Sequence, residues 1–164
     1  MTGVQTCALP ILSGDFCNHA VAAFFELALT HLASYPTLSL HAYYNRPIED
    51  DVTQRLKANF AHWNQISGLK DDAVAQKIRE DGIDILYDLS GHTSRNRLLV
   101  FARKPAPVQI SWIGYPGTTG LIAMDYYQSD RFLFPDNRFD AQFTERSEEH
   151  TSELQSHSFI SYAV

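Results

Sequence analysis

The 164-residue sequence predicts an α/β fold: a parallel sheet covered by helices on both faces. Three observations lead there. Strand-like and helix-like segments alternate along the chain. Two apolar runs, Ile83–Leu89 and Val108–Ile113, each end in a glycine and a polar turn. The helix-like segments open on acids or an amide and close near glycine or proline.

The elements follow in order. "PILSGDF" (Pro10–Phe16) occupies the place of a first strand. From Asn18, a reasonable N-cap, "HAVAAFFELALTHLASY" puts Phe24, Leu27, Ala28 and Leu32 on one helical face, and Pro36 stops the chain soon after. "LSLHAYYN" (Leu38–Asn45) is rich in β-formers and reads as a strand. "IEDDVTQRLKANFAHW" opens on acids, which suit a helix N-terminus, and carries Val52, Leu56 and Phe60 on one stripe. "DDAVAQKIREDG" is a second acid-opened helix, ended by Gly82 as a C′ residue. "IDILYDL" is the next strand, "SRNRLLVFARKPA" a short helix ended at Pro105, "VQISWIG" a strand, and "MDYYQSD" a last short strand.

Composition narrows the function classes. At 45% hydrophobic and 12% aromatic, the chain can bury a core. A formal net charge of −6 argues against non-specific nucleic-acid binding, which needs a basic surface. No apolar run approaches a membrane span, so no membrane partner is expected and a cytoplasmic location is. Cys7 and Cys17 form neither a metal-ligand spacing nor a disulfide framework. His31, His41 and His62 show no ligand spacing, so no metal is expected. Trp63 and Trp112 read as core or interface aromatics, and Arg95, Arg97, Arg103 and Lys104 as a solvated helix face rather than a basic patch.

In open α/β sheets, ligands bind outside the carboxyl ends of the strands. Three turns qualify. "SGDFCNHA" offers Asp15, Asn18 and His19 at a helix N-terminus, where an anion or a proton transfer would be favoured. The competing reading makes Asp15 and Asn18 capping groups and His19 a surface residue. "SGHTSRN" has Gly91 for close backbone approach, with His92 and Thr93 as hydrogen-bond donors, or it is a plain structural turn. "GYPGTTG" has three glycines within seven residues. It could present amides to a phosphate or sugar, or serve only as a tight connection. It matches neither a P-loop nor the dinucleotide fingerprint.

At these same residues a family resemblance appears. "GDFCNHAV", "DGIDILYDLSGHTSRNRLLVFARKPAPVQISWIGYPGTTGL" and "MDYYQSD" resemble the catalytic region of protein O-linked N-acetylglucosamine transferases, and more narrowly the bacterial SPINDLY-like members. The resemblance implies a Rossmann-like domain forming the amino-terminal half of a GT-B glycosyltransferase. It also implies inverting transfer of N-acetylglucosamine from UDP-GlcNAc to protein Ser or Thr hydroxyls, with UDP-GlcNAc as donor substrate and no cofactor. By the same resemblance, His19 matches the active-site histidine, Asp15 an aspartate proposed as a base, and Asn18 an acceptor-side asparagine. His92, where other members have tyrosine, and Thr93 fall at the sugar end of the cleft. Gly114, Tyr115, Pro116, Gly117 and Thr118 match the loop that packs on the donor sugar. The implied partners are the sugar-nucleotide donor, the protein acceptor, a carboxy-terminal GT-B domain and tetratricopeptide repeats. A GDP-sugar-dependent protein O-fucosyltransferase and a non-catalytic binding half-domain are the alternatives.

The two ends read differently from the middle. "TGVQTCALPI" and "RSEEHTSELQSH" resemble conceptual translations of sequencing adapters. On that reading 1–11 and 146–164 are non-native, 12–145 is a partial amino-terminal catalytic domain, and the chain alone is expected to be inactive.

Overall fold

The computed structural model describes residues 7–129 and 141–147. Among them seven strands form one sheet: β1 (Cys7–Ser13), β2 (Leu38–Tyr44), β3 (His62–Gln65), β4 (Ile85–Asp88), β5 (Val108–Trp112), β6 (Tyr126–Gln128) and β7 (Arg146–Ser147). The order is β3-β2-β1-β4-β5-β6-β7, and every neighbouring pair is parallel. Four helices connect the strands: α1 (Ala20–Leu32), α2 (Asp51–Lys57), α3 (Asp71–Glu80) and α4 (Leu98–Phe101). The predicted class is the one observed.

Period-two alternation divides the core into two layers. Leu9, Ile11, Leu40, Ala42, Tyr44, Tyr87 and Ile110 face α1 and Leu56 of α2. Leu12, Tyr43 and Leu86 face Val74, Ala75 and Ile78 of α3 and Leu98, Val100 and Phe101 of α4. Helices therefore cover both faces.

Three local readings need correction. The N-cap of α1 is His19 rather than Asn18: His19 is extended and its own ring nitrogen accepts from the Val21 amide, while the Asn18 N–H is taken by Asp50. The buried face of α1 is Val21, Ala22, Phe25 and Leu29, leaving Phe24 and Leu27 69% and 81% exposed. The helix expected to reach Trp63 stops at Lys57. There the Asn59 and Phe60 amides fold back onto Leu56 and Lys57, the Ala61 amide reaches Leu40 of β2, and His62–Gln65 becomes an edge strand. The Val52–Leu56–Phe60 stripe itself packs into the first layer as expected. Gly82, at φ +66, follows the α3 cap as predicted.

The expected first strand at Pro10–Phe16 begins earlier and ends sooner, at Cys7–Ser13. It contains Pro10, although it lies at the centre of the sheet. The Cys7 amide donates toward β2 (to Thr37, 2.9 Å) and the Ala8 amide toward the β4 side (to Asp84 Oδ2, 3.3 Å). By this alternation the absent Pro10 N–H falls on the β4 side. The ladders differ accordingly: β1 pairs β2 along its whole length, but β4 only at Ile11 and Leu12. Of the predicted non-native segments 1–11 and 146–164, residues 1–6 and 148–164 lie outside the described residues.

The basic residues expected on a solvated helix face do mostly structural work. Arg97 donates to Leu69 O (2.9 Å), Asp71 Oδ1 (2.7 Å), Asn45 Oδ1 (3.0 Å) and Ile66 O (3.2 Å), binding the end of β2 to the start of α3. Arg103 pairs with Asp72, and Lys104 with Asp125.

Candidate active site

The strand order reverses direction between β1 and β4, and parallel sheets open a ligand crevice at the carboxyl ends of such strands. The turn after β1 forms one flank. The turns after β4 and β5 form the other.

On the β1 flank, the Ser13 hydroxyl accepts the Asp15 amide at 3.0 Å. Phe16 is fully buried among Phe25, Tyr44, Phe60 and Trp63, with ring centroids 5.6–6.1 Å away. That cluster fixes the turn from below. The Asn18 amide donates to Asp50 Oδ2 at 2.7 Å, and Thr53 Oγ1 donates to the Phe16 carbonyl at 2.7 Å. Asp50 and Thr53 also form the capping box of α2, so one pair of side chains caps that helix and ties it to the turn. These donors, led by the Asn18 and Thr53 amides, hold the Asp50 carboxyl below its usual range.

His19 and Asp15 are brought together, with Nδ1 4.0 Å from Asp15 Oδ2. The imidazole is 46% exposed and the carboxylate 8%. Nδ1 accepts from the Val21 amide at 3.2 Å. A ring nitrogen that accepts carries no proton, so in the neutral ring Nε2 is the N–H. His19 in this state is a donor through Nε2, while Asp15 supplies the nearby lone pairs.

On the opposite flank, Asp88 is fully buried. Its carboxylate accepts the Ser90 and Gly91 amides at 3.0 and 2.9 Å, and Ser111 Oγ lies 3.4 Å away on β5. Burial pushes this carboxyl up to about 6, against the pull of those donors. Thr93 Oγ1 donates to the Ser90 carbonyl at 2.7 Å, so Thr93 closes the turn. His92 is exposed and meets Tyr115 edge-on at 5.2 Å. Gly91 is required twice over: it has φ +54, and a Cβ there would lie 2.4 Å from Tyr115 Cβ.

The loop after β5 approaches more closely still. A Cβ on Gly114 would lie 2.1 Å from the Leu89 carbonyl oxygen, and the preceding Ile113 has φ +61, a conformation rare for a β-branched residue. Tyr115 and Pro116 are exposed, and Gly117 packs beside the Tyr115 ring. The Thr118 hydroxyl faces inward: it donates to Glu145 Oε2 at 2.7 Å and accepts the Gly120 and Thr144 amides. Glu145 is buried and also binds the Thr119 amide at 2.6 Å. Burial raises its carboxyl, but the Thr119 and Thr118 donors outweigh this and hold it below the usual value.

The three turns singled out in the sequence thus lie together at the carboxyl end of the sheet, the first meeting the second at Gly14 and Arg95 and the second meeting the third at Gly91 and Tyr115, with Thr118 serving its loop from within. Asp88 and Glu145 were missed, and Arg97 was read as solvated. Only Asp88 had a local signal: an aspartate two residues before the Ser-Gly turn whose amides it receives. Among the described residues, no group of three or more His, Cys, Asp or Glu could hold a metal ion, and no helix is long and apolar enough to cross a membrane.

Comparison with known proteins gives one answer. The chain is 40% identical over 128 residues to an Arabidopsis thaliana protein named "Probable UDP-N-acetylglucosamine--peptide N-acetylglucosaminyltransferase SPINDLY", covering 76% of this chain and 14% of that protein. A Hordeum vulgare protein of the same name is 42% identical, over 73% of this chain and 13% of its own. Arabidopsis thaliana SEC, similarly named, is 42% identical over 81% of this chain and 14% of its own. The chain thus spans about a seventh of these relatives. A solved Thermobaculum terrenum O-GlcNAc transferase variant superposes with a TM-score of 0.81 at 38% identity, covering 87% of this chain and 27% of that one. The fold is therefore that of one part of an O-GlcNAc transferase. With the family model matching residues 4–152, the chain belongs to glycosyl transferase family 41.

Proposed function

We propose that this chain is part of the amino-terminal catalytic domain of an inverting glycosyltransferase that moves N-acetylglucosamine from UDP-GlcNAc to protein Ser or Thr hydroxyls. The observation that carries the reading is the convergence of the Asp15–His19, Gly91–Thr93 and Gly114–Gly117 segments at the sheet's switch point in a family 41 chain. The relatives' names specify N-acetylglucosamine, which supports that donor over a GDP-sugar.

In the proposed reaction the acceptor oxygen attacks the anomeric carbon as the bond to the diphosphate oxygen breaks. The hydroxyl proton passes to Asp15, and UDP leaves with the bonding pair. His19 Nε2–H donates to a developing negative oxygen. Asn18 orients the acceptor, while His92, Thr93, Gly114, Tyr115, Pro116, Gly117 and Thr118 shape the sugar pocket. UDP-GlcNAc is a substrate, and no metal or cofactor is assigned. We assign the nucleotide contacts to a carboxy-terminal GT-B domain, acceptor choice partly to tetratricopeptide repeats, and the location to the cytoplasm. The chain alone is then inactive.

The test is transfer of labelled N-acetylglucosamine to a Ser peptide by a polypeptide joining this sequence to a second family 41 half. His19→Asn keeps a capping side chain and so separates the helix from the chemistry. We expect at least a hundredfold loss of kcat with an intact fold, on the scale of general acid–base contributions. Wild-type turnover by His19→Asn overturns the assignment.

We also read 1–11 and 146–164 as adapter-derived, a reading that Pro10 in a central strand supports for the first segment. Sequencing the source locus tests it, and finding both segments encoded there overturns it.

A further inference from the structure

Arg95 has φ +61, a left-handed conformation that costs a non-glycine residue stability. Two contacts hold it there. Its carbonyl accepts Asn45 Nδ2 at 2.8 Å. Its side chain folds over Gly14, where an added Cβ would lie 2.9 Å from Arg95 Cβ and 3.5 Å from Cδ. The absence of a side chain at Gly14 therefore lets an arginine cross from the β4 flank onto the turn after β1.

The exposed guanidinium is uncommitted. Arg55, Arg79, Arg97 and Arg103 all donate to protein oxygens. Among the described residues no oxygen accepts from the guanidinium of Arg95, and that of Arg46 donates only to Cys17 Sγ, at 2.9 Å. Arg46 reaches Cys17, Arg95 lies over Gly14, Asp50 accepts the Asn18 amide and Asp15 stands beside His19, so both cations and both acids border the β1–α1 turn. The two acids are occupied: Asp50 by the Asn18 and Thr53 amides, and Asp15, largely buried, beside His19.

We infer that Arg95, assisted by Arg46, is a specificity-determining subsite for a carboxylate of the acceptor polypeptide, an Asp or Glu side chain adjacent to the target Ser or Thr. The inference rests on the acceptor-side assignment of the Asp15–Asn18 turn made above. A guanidinium presents a planar fork of donors that suits a carboxylate. Its side chain leaves its own turn and lies over Gly14, next to Asp15, which favours the acceptor over the sugar nucleotide. A strained arginine held in place on both sides is what such a role requires.

The test uses the 164-residue chain and two fluorescent Ser peptides, one with flanking Glu and one with Gln in their place, titrated at low ionic strength where screening is weakest. Wild type should bind the Glu peptide more tightly. Arg95→Gly suits the left-handed backbone, so the fold should persist by circular dichroism. It should weaken Glu-peptide binding about two- to fivefold and leave Gln-peptide binding unchanged. Arg95→Lys should retain most of the preference, and Arg46→Gln should lower it further. Equal loss for both peptides, or an undiminished preference in Arg95→Gly, overturns the subsite while leaving the transferase reading intact. If the wild-type chain binds neither peptide, the subsite falls together with the acceptor-side assignment beneath it.

Discussion

The two flanks of the crevice are made rigid by different means. The β4–β5 flank is held by backbone: buried Asp88 gathers two amides, and Gly114 lies against the Leu89 carbonyl with no room for a methyl group. The β1 flank is held by side chains: Phe16 in its ring cluster, Asp50 and Thr53 reaching across from α2, and a ladder to β4 of only two registered residues. Backbone contacts leave no tolerance for substitution. Side-chain contacts can shift, which suits the flank proposed above to receive the acceptor.

The largest expected effect follows from comparing two glycines. Gly114→Ala forces a methyl into a carbonyl and should destabilise by about 3 kcal/mol. Gly14→Ala brings its Cβ 2.9 Å from Arg95 Cβ and 3.5 Å from the Arg95 carbonyl oxygen, a milder clash that a small shift of the Arg95 turn relieves, and should cost about 1–2 kcal/mol. Urea midpoints check both, and equal losses would remove the distinction between the flanks.

Next comes Asp88→Asn. One of the two amides would then face a donor, at a cost of about 1–3 kcal/mol. The pH dependence has a definite sign. The folded carboxyl is raised to about 6, so the native state binds the extra proton and the Asp88 contribution is fully present below the unfolded value near 4. It is lost as pH rises through about 6. The deficit of Asp88→Asn relative to wild type should therefore be largest at low pH and narrow across that window. Glu145→Gln should cost about 1–2 kcal/mol and show the opposite trend. Its carboxyl is lowered, so its contribution is present above the unfolded value and fades as pH falls. The smallest effect is at Pro10→Val, which restores an N–H facing β4. A gain of up to about 1 kcal/mol in chemical denaturation is expected.

Local patterns made much of this fold legible. The β2, β4 and β5 segments were marked by β-formers and closing turns, and α3 by opening acids and Gly82. β3 was hidden because "HWNQ" is a short, half-polar edge strand that follows a helical stripe without a break. The buried face of α1 was hidden because "AVAAFFELALTHL" is apolar on several sides, so the choice between Phe24 and Phe25 belongs to the sheet beneath it. The site turns were legible because glycines close strands there. Glu145 and Arg97 were not, because their partners Thr119 and Asn45 lie 26 and 52 residues away in sequence.

The division of the core into two layers also decides what light can report. Trp63 and Trp112 both pack against the layer shared with α1 and α2, and Phe16 links Trp63 directly to the turn that carries Asp15 and His19. Indole emission is therefore a built-in signal for the β1 flank. Loosening on the α3 and α4 side, where Tyr43 is the buried aromatic nearest in kind, would pass largely unseen at tryptophan wavelengths. A stopped-flow trace followed at those wavelengths would time the assembly of one face of the sheet, with amide circular dichroism needed for the other.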